Sequence, residues 1–529
     1  MHKPELMPTS ATVDSPVPNT EPPQTPVAAS RRHSLAGHLA WRAVADWSGQ
    51  IVSWASLLIV VRLLSPADFG LVAMCAVLFS NLKLIGEFGI PTTVITLRNL
   101  TEEEISQLNS VGALFGLGTF LVACAAAWPL ALFFRTPRLV PVIIVTALAL
   151  IALGLRCVPD GLLSKDRQFN SLSLYNAIRD IVGALVTVLL AWLGFGYWAL
   201  VVGNVFSVVA RSAIILSVRR QRFAWPRMST IKKPLLFSGH VLVAVYAWST
   251  YSVLDNVTAG RVLGPAALGL YGMAWTLANV PLEKVVSLVT QIIPSYLAAV
   301  QNDTAALRRY LSSLTEAISL LTFPATIGLA LVAREAVPLV LGHKWQGMIV
   351  PLQVLCVYAA FRSIVALLPK LLTAIGSARF TMRIELAGLV LMPTAFFIGS
   401  HWGIAGIAYG WVAAYPFIAL PLYWKVFKSI GMRRKEYLAA LRPGLDGALV
   451  MVPAILLVKS LLPGTMSLLP RLAIEILVGA AAHIGTLFLM HRERALVFVQ
   501  LLKKIFGNGR SLKPAGGQNN GRLAADPSR

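Results

Sequence analysis

Apolar segments of about 20 residues follow one another along most of this chain, and that is the length a helix needs to cross the hydrocarbon core of a bilayer. Short breaks marked by Pro, Gly or charged residues separate them. Hydrophobic residues make up 56% of the 529 residues, charged residues only 13%, and the mean hydropathy is +0.70. The chain is therefore predicted to be an all-α polytopic membrane protein.

The breaks divide the apolar sequence into about 14 predicted transmembrane helices. They cover roughly residues 36–61, 69–97, 106–134, 141–163, 171–193, 197–218, 236–258, 268–298, 313–333, 349–374, 381–400, 404–424, 445–462 and 472–490. The ends of the chain, 1–33 and 493–529, are polar and rich in Pro or Gly, which predicts disordered tails. An even number of crossings places both tails on one side of the membrane.

The cations fall mainly into every second connection between these helices. Lys and Arg collect in segments 164–167, 219–233 and 425–437, whereas the intervening connections hold isolated cations such as Arg62 and Arg261. Short cytoplasmic loops of membrane proteins are enriched in Lys and Arg, so both termini are predicted to be cytoplasmic. The net charge of +23 thus reflects membrane topology, and nucleic acid is not an expected partner.

One segment occurs twice. RLLSPADFGLVAM (62–74) matches RVLGPAALGLYGM (261–273) at a shift of 199 positions, which aligns Arg62 with Arg261 and Gly70 with Gly269. GYWALVVGNV (196–205) matches GIAGIAYGWV (403–412) at a shift of 207. The matched segments lie six crossings apart and therefore share one orientation, which predicts two parallel six-helix lobes followed by two further helices.

The predicted division of the chain follows from this repeat. An N-lobe covers 34–222, a basic linker 223–235, a C-lobe 236–430, and the two additional helices 431–492. Arg62 and Arg261 begin the repeated segment at the membrane boundary and are predicted to be interfacial anchors. Two parallel lobes of this kind are typical of transporters in which access to a central site alternates.

Six stretches resemble one known family. They are RLLSPADFGLVAM (62–74), GEFGIPTTVITLRNLTEEE (86–104), LLSKDRQF (162–169), LGFGYWALV (193–201), LDNVTAGRVLGPAALGLYGMAW (254–275) and LGHKWQGMIVPLQVL (341–355). In order and spacing the chain resembles the polysaccharide transporter branch, the Wzx-type flippases, of the multidrug/oligosaccharidyl-lipid/polysaccharide flippase superfamily.

This resemblance implies a MATE-like fold and a transport function without covalent chemistry or a cofactor. The implied cargo is an undecaprenyl-diphosphate-linked oligosaccharide, such as a repeat unit of exopolysaccharide, capsule or O-antigen, moved across the bacterial inner (plasma) membrane. Membrane lipids, and a polysaccharide polymerase and a chain-length regulator, are the implied partners.

Charged residues inside the predicted helices are the candidate working residues, because charge within a bilayer is costly. The cations are expected to line a cavity for the diphosphate: Arg42, Lys83, Arg156, Arg179, Arg211, Arg362 and Lys370. The carboxylates are candidates for coupling transport to an ion gradient: Asp46, Glu87, Asp160 and Asp255. Arg42–Asp46, Lys83–Glu87 and Arg156–Asp160 are each four residues apart, so simple neutralisation within a helix is the alternative interpretation.

Two other functions stay open. An ion-coupled antiporter of drugs or other small molecules would share the two-lobe architecture. A polytopic polymerase or ligase of polysaccharide synthesis is less well supported, because the connections opposite the basic loops are short. The histidines and cysteines lack metal-ligand spacing, no metal site is expected, and the chain has no P-loop motif.

Overall fold

The computed structural model describes residues 49–97, 100–166, 168–251, 253–290, 303–494 and 496. Within these residues the long elements are all α-helices. They are α1 Gly49–Leu63, α2 Pro66–Glu87, α3 Ile90–Thr96, α4 Glu102–Phe133, α5 Leu139–Lys165, α6 Phe169–Trp192, α7 Tyr197–Val218, α8 Met228–Tyr251, α9 Leu254–Thr258, α10 Pro265–Thr290, α11 Thr304–Val340, α12 Ile349–Val365, α13 Leu368–Ala374, α14 Ala378–Gly399, α15 Gly403–Ile430, α16 Arg434–Leu461 and α17 Leu468–Met490.

The prediction of an all-α polytopic membrane protein is confirmed. Ten helical segments of the described chain are long and apolar enough to cross a membrane, and one of them contains both α14 and α15. Each of the predicted crossings overlaps at least one helix. Among the described residues three crossings are interrupted: the second between α2 and α3, the seventh between α8 and α9, and the tenth between α12 and α13.

Local sequence explains where the helices begin. Ser65 caps α2 by accepting a hydrogen bond from the backbone N–H of Asp68, whose carboxylate accepts one from the Ser65 N–H in return. Thr101 and Glu104 form the same reciprocal arrangement at the start of α4. These capping boxes satisfy backbone donors that a helix start leaves unpaired, so they define where both helices begin.

The predicted repeat is visible in the backbone. Gly196 and Gly403, which the shift of 207 aligns, have φ values of 57° and 70° with strongly negative ψ; Gly196 directly precedes α7 and Gly403 is the first residue of α15. That conformation is accessible almost only to glycine. Equivalent turns thus connect the last two helices of each lobe. The first lobe contains α1–α7, the second lobe α8–α15, and α16 and α17 form a C-terminal pair.

The helices define two ends of the bundle. The end that contains the α1–α2 connection is named the seal end, and the opposite end, with the 219–227 and 431–433 connections, is named the basic end. At the basic end, Lys165 Nζ donates a hydrogen bond to the Leu97 carbonyl oxygen, and Arg219 pairs with Asp166 at 3.0 Å.

The segment between the lobes lies against α4. The backbone N–H of Ala224 donates to Ser110 Oγ, and that of Arg227 donates to Gln107 Oε1. Helix α8 begins at Met228, inside the segment 223–235 that the sequence predicted to be a linker. Farther along α8, the hydroxyls of Ser238 and of Thr93 in α3 lie 2.6 Å apart, so α8 contacts the first lobe near the basic end.

Candidate functional site

The two copies of the repeated segment contact each other at the seal end. A Cβ atom at Gly70 of α2 would lie 1.7 Å from the carbonyl oxygen of Pro265, and one at Gly269 of α10 would lie 1.8 Å from that of Pro66. No side chain fits at either distance, so only glycine allows the two backbones to approach so closely. The contact has approximate twofold symmetry and joins the first helical turns of α2 and α10.

Hydrogen bonds between helix ends reinforce this contact. Arg62, near the end of α1, donates through Nε to the Val340 carbonyl oxygen at 3.0 Å and through Nη2 to that of Leu339 at 2.6 Å, both at the end of α11. In return, Lys344 Nζ and Trp345 Nε1 donate to carbonyl oxygens in the last turn of α1, at 2.8 and 3.1 Å. The last carbonyls of a helix lack partners within it and favour cations, so each lobe satisfies a helix end of the other.

Arg62 therefore does more than the predicted interfacial anchoring, because its guanidinium joins the two lobes. Its counterpart Arg261 also crosses the boundary, with its guanidinium carbon 5.4 Å from the ring centre of Phe133 at the end of α4. Helices α4 and α11 are equivalent in the two lobes, so the repeat extends to these contacts. We name the contacts of Gly70, Gly269, Arg62, Lys344 and Trp345 the seal.

Two buried arginines bind one carboxylate inside the first lobe. Arg156 Nη1 lies 2.9 Å from Asp160 Oδ2, one turn along α5, as their spacing predicted. Arg211 of α7 donates two hydrogen bonds, of 2.8 and 3.0 Å, to the same carboxylate. The arginine side chains are only 9% and 10% exposed. Each Nε–H has no hydrogen-bond partner among the described residues, so the cluster keeps both positive charge and unused donors.

Three further predicted residues lie around this arginine pair. The charges of Lys83, Glu87 and Arg179 act on Asp160. Arg179 of α6 also binds its neighbour Asp180, with Nη2 2.7 Å from Oδ1. Within the described chain Lys83 and Glu87 form no ion pair with each other, although their spacing predicted one. Glu87 is the last residue of α2, directly before the left-handed Phe88.

A cavity of about 350 Å³ lies beside this cluster, between α1, α6 and α7, and reaches α10 of the second lobe. Its polar lining includes Gln50, Ser53, Arg179, Asp180, Asn204 and Thr276.

In the second lobe Arg362 of α12 is held by two groups on α10. Its Nη1 donates to Asn279 Oδ1 at 3.0 Å, and its guanidinium carbon lies 5.9 Å from the ring centre of Trp275. This distance is within the range of a cation–π contact. Lys370 lies on the exposed side of α13 and is not part of this group.

Asp255 of α9 is completely buried and has neutral partners. Its Oδ2 accepts hydrogen bonds from Tyr271 Oη at 2.8 Å and from Trp411 Nε1 at 3.2 Å, and its Oδ1 accepts one from the Asn256 backbone at 2.7 Å. Helices α9, α10 and α15 thus meet at one carboxylate. The other predicted pair, Arg42 and Asp46, lies outside the described residues.

Sequence reasoning missed a group of four charges at the seal end. Lys459 Nζ lies 2.6 Å from Glu335 Oε2 and 3.4 Å from Glu475 Oε2, and Arg471 Nε lies 3.3 Å from Glu475 Oε1. The group joins the C-terminal pair to α11. The spacing of Arg471 and Glu475, four residues apart, was a signal for one of its ion pairs.

Known proteins with similar sequences identify the family of this chain. Residues 59–350 match the family described as "Polysaccharide biosynthesis protein". A Klebsiella pneumoniae protein named "Uncharacterized membrane protein in cps region" is 26% identical over 475 residues, which are 88% of this chain and 97% of that protein. The "Lipopolysaccharide biosynthesis protein WzxC" of Escherichia coli K12 is 25% identical over 437 residues, covering 78% of this chain and 85% of that protein.

Two solved structures show the same fold. The inward closed conformation of the lipid II flippase MurJ superposes with a TM-score of 0.64 at 15% identity and covers 88% of this chain and 99% of that chain. An inward-facing MATE family transporter of the MOP superfamily gives 0.56 at 16% identity, over 72% of this chain and 94% of that chain. The predicted MATE-like arrangement of lobes is thereby confirmed. Because the family match spans more than half of its residues, this chain belongs to the polysaccharide biosynthesis protein family.

Proposed function

We propose that this protein is a flippase that moves an undecaprenyl-diphosphate-linked oligosaccharide across the bacterial plasma membrane by alternating access. It acts by binding and conformational change, without covalent chemistry. The names of the relatives support a role in polysaccharide export, and the lipid II flippase fold supports a lipid-linked cargo.

The observation that carries this proposal is the pair of buried arginines around Asp160. Burying charge in a membrane domain is costly unless function requires it. Two guanidiniums share one carboxylate, and the Nε–H of each has no hydrogen-bond partner in the described part of the chain. A guanidinium remains protonated and matches the geometry of phosphate oxygens, so this cluster suits a diphosphate. Arg179 and Lys83 add positive charge nearby, and Arg362 supplies it in the second lobe.

The seal provides the moving part of this mechanism. Backbone contact at two glycines and hydrogen bonds between helix ends hold the lobes together at that end, beside a buried apolar cluster to which both lobes contribute, including Leu71 and Tyr271. Rocking of one lobe against the other can open the seal while the lobes close near the basic end. Access to the diphosphate site would then alternate between the two faces.

The basic end is assigned to the cytoplasm, with both termini on that side, because its connections carry most of the loop cations. A polysaccharide polymerase and a chain-length regulator are proposed partners of the complete export system. Of the candidate coupling residues, Asp255 is favoured over Asp160 and Glu87. Its partners are neutral, so it can exchange a proton or metal cation without breaking an ion pair.

Reconstitution tests the proposed activity directly. Purified protein is placed in liposomes with a fluorescent undecaprenyl-diphosphate-linked oligosaccharide, and flipping is followed by quenching from one side. Arg211→Ala is expected to lower the rate at least tenfold, because one hydrogen-bonded ionic contact contributes about 1.5–3 kcal/mol. Arg138→Ala removes an exposed arginine at the seal end and serves as the matched control.

Gene deletion provides the cellular test. Lipid-linked repeat units should accumulate facing the cytoplasm, and the polymer should disappear from the cell surface. Normal polymer without such accumulation would contradict the proposal. Efflux of an organic cation dye in place of lipid flipping would identify the antiporter alternative.

A further inference from the structure

The cavity between α1, α6 and α7 differs chemically from the arginine pair beside it. Its charged residues, Arg179 and Asp180, neutralise each other at 2.7 Å. The rest of its polar lining consists of hydroxyls and amides, including those of Ser53, Asn204 and Thr276. A diphosphate needs excess positive charge, which the described part of this lining lacks, so the lining favours a neutral, polar occupant.

The same lining combines polar with apolar side chains, whereas a lipid chain needs apolar contacts alone. The opposite face of α1 exposes Ile51, Leu58 and Ile59, which are typical of a surface in contact with lipid. The cavity face presents Gln50, Ser53 and the indole of Trp54 together with the apolar Leu57 and Val60. Hydroxyls and amides both donate and accept hydrogen bonds, and an indole offers an apolar face. Sugar rings have the matching chemistry, with hydroxyls at the rim and C–H groups on the faces.

Position supports the same occupant. Arg211 lies one turn beyond Ser207 on α7 and seven residues from Asn204, about 10 Å at 1.5 Å per residue. Arg179 lines the cavity, and its positive charge also interacts electrostatically with Asp160. A diphosphate held by Arg156 and Arg211 would therefore place its attached sugar at the entrance of the cavity. Its volume of about 350 Å³ lies at the lower end of the range for small-molecule sites, about 300–1,000 Å³.

We infer that this cavity is the glycan subsite, which binds the sugars next to the diphosphate of the lipid-linked oligosaccharide; this rests on the proposed flippase function. Thr276 reaches the cavity from α10, so the bound glycan contacts both lobes. Because it contacts both lobes, the bound glycan stabilises the arrangement of lobes seen in this structure. The subsite selects for sugar hydroxyls, whereas the arginine pair selects for the diphosphate.

Binding measurements separate the two subsites. The full-length protein in lipid nanodiscs is titrated with the lipid-linked oligosaccharide pool extracted from cells that lack this gene, and separately with undecaprenyl diphosphate. Asn204→Ala and Thr276→Val are each expected to weaken binding of the oligosaccharide about two- to tenfold, the effect of one hydrogen bond, and to leave binding of undecaprenyl diphosphate unchanged. Arg211→Ala should weaken binding of both ligands.

Phe206→Leu, on the exposed side of α7, is the control and should bind both ligands as the wild type does. Thr276→Val keeps the shape of its side chain and supplies the test if Asn204→Ala does not fold. Wild-type affinity for the oligosaccharide in the folded cavity variants would overturn the inference and leave the flippase function intact. A wild-type protein that binds neither ligand would contradict the proposed function itself.

Discussion

Gly70 and Gly269 occupy equivalent positions in the two lobes and contact each other across the boundary between them. Gly70→Ala would place a methyl group 1.7 Å from the Pro265 carbonyl oxygen, so the helices must separate. Overpacking of this kind costs about 1–3 kcal/mol, which lowers the population of the closed seal by a factor of about 5 to 150. Export should fall accordingly. Gly272→Ala on α10, where an added Cβ meets nothing within 4 Å, should export normally. Equal export by both variants would show that close backbone contact is not required.

The hydrogen bonds between helix ends should act as one unit. Arg62→Ala and Lys344→Ala each remove donors to carbonyls of the other lobe. At this exposed boundary we expect each substitution to lower the free energy of unfolding by about 1 kcal/mol. The double variant should lower it by less than the sum of the two. Thermal unfolding of the four proteins in detergent measures this coupling. Strict additivity would indicate that the two contacts act independently.

The balance of charge around Asp160 can be tested by removing the carboxylate and then removing one of its two arginines. Asp160→Asn leaves Arg156 and Arg211 buried without the carboxylate that both of them bind and should destabilise the protein by about 3–5 kcal/mol, measured as low yield and a lowered unfolding temperature. Arg211→Met retains the Arg156–Asp160 pair, so it should fold but lose diphosphate binding. Combining Asp160→Asn with Arg211→Met should recover part of the yield without recovering transport. If the double variant transports normally, the cluster has a structural role only.

Asp255→Asn tests ion coupling. The amide replaces one of two accepting oxygens with a donor, so either Tyr271 and Trp411 or the Asn256 backbone loses its partner. We expect a loss of about 1–3 kcal/mol in stability. Flipping in liposomes without an ion gradient should persist, and its acceleration by a proton or sodium gradient should disappear. Tyr271→Phe, which keeps the carboxylate, is the control. Continued acceleration in Asp255→Asn would exclude this residue as the coupling group.

The four charges on α11, α16 and α17 should stabilise attachment of the C-terminal pair. Lys459→Met leaves Glu335 and Glu475 with Arg471 as their remaining cation among the described residues. A loss of about 3–5 kcal/mol in unfolding free energy is expected, because removing one partner leaves buried negative charge. Lys435→Met, at an exposed position at the start of α16, should have little effect. Limited proteolysis between α15 and α16 reports detachment of the pair, and unchanged proteolysis would contradict the prediction.

The sequence predicted the features that depend on local pattern. Apolar length located the crossings, and the repeat predicted the two lobes. Spacing of four residues predicted the Arg156–Asp160 pair, because both residues are on one helix. The Arg211 contact was not predictable in this way, because its partner lies 51 residues earlier on another helix.

The contacts of the seal could not be predicted from the sequence for the same reason. The match between Gly70 and Gly269 was visible, but the repeat alone does not reveal that the two copies contact each other. Arg62 was interpreted as an anchor because its partners at the end of α11 lie 277 and 278 positions away. Lys459 and Glu335 were missed because each lies near the end of an apolar segment, where single charges are common. Long-range pairing of this kind requires the fold.

The mutual contact of the repeated segments has a consequence for the history of the chain. Gly70 meets the Pro265 turn as Gly269 meets the Pro66 turn, which is the geometry of an isologous dimer interface formed within one polypeptide. A half-length ancestor carrying this segment once would have had a self-complementary surface and could have paired with a second copy of itself. After duplication and fusion, each half was free to change, and the arginine pair of the first lobe and the aromatic-lined Asp255 of the second show that they did.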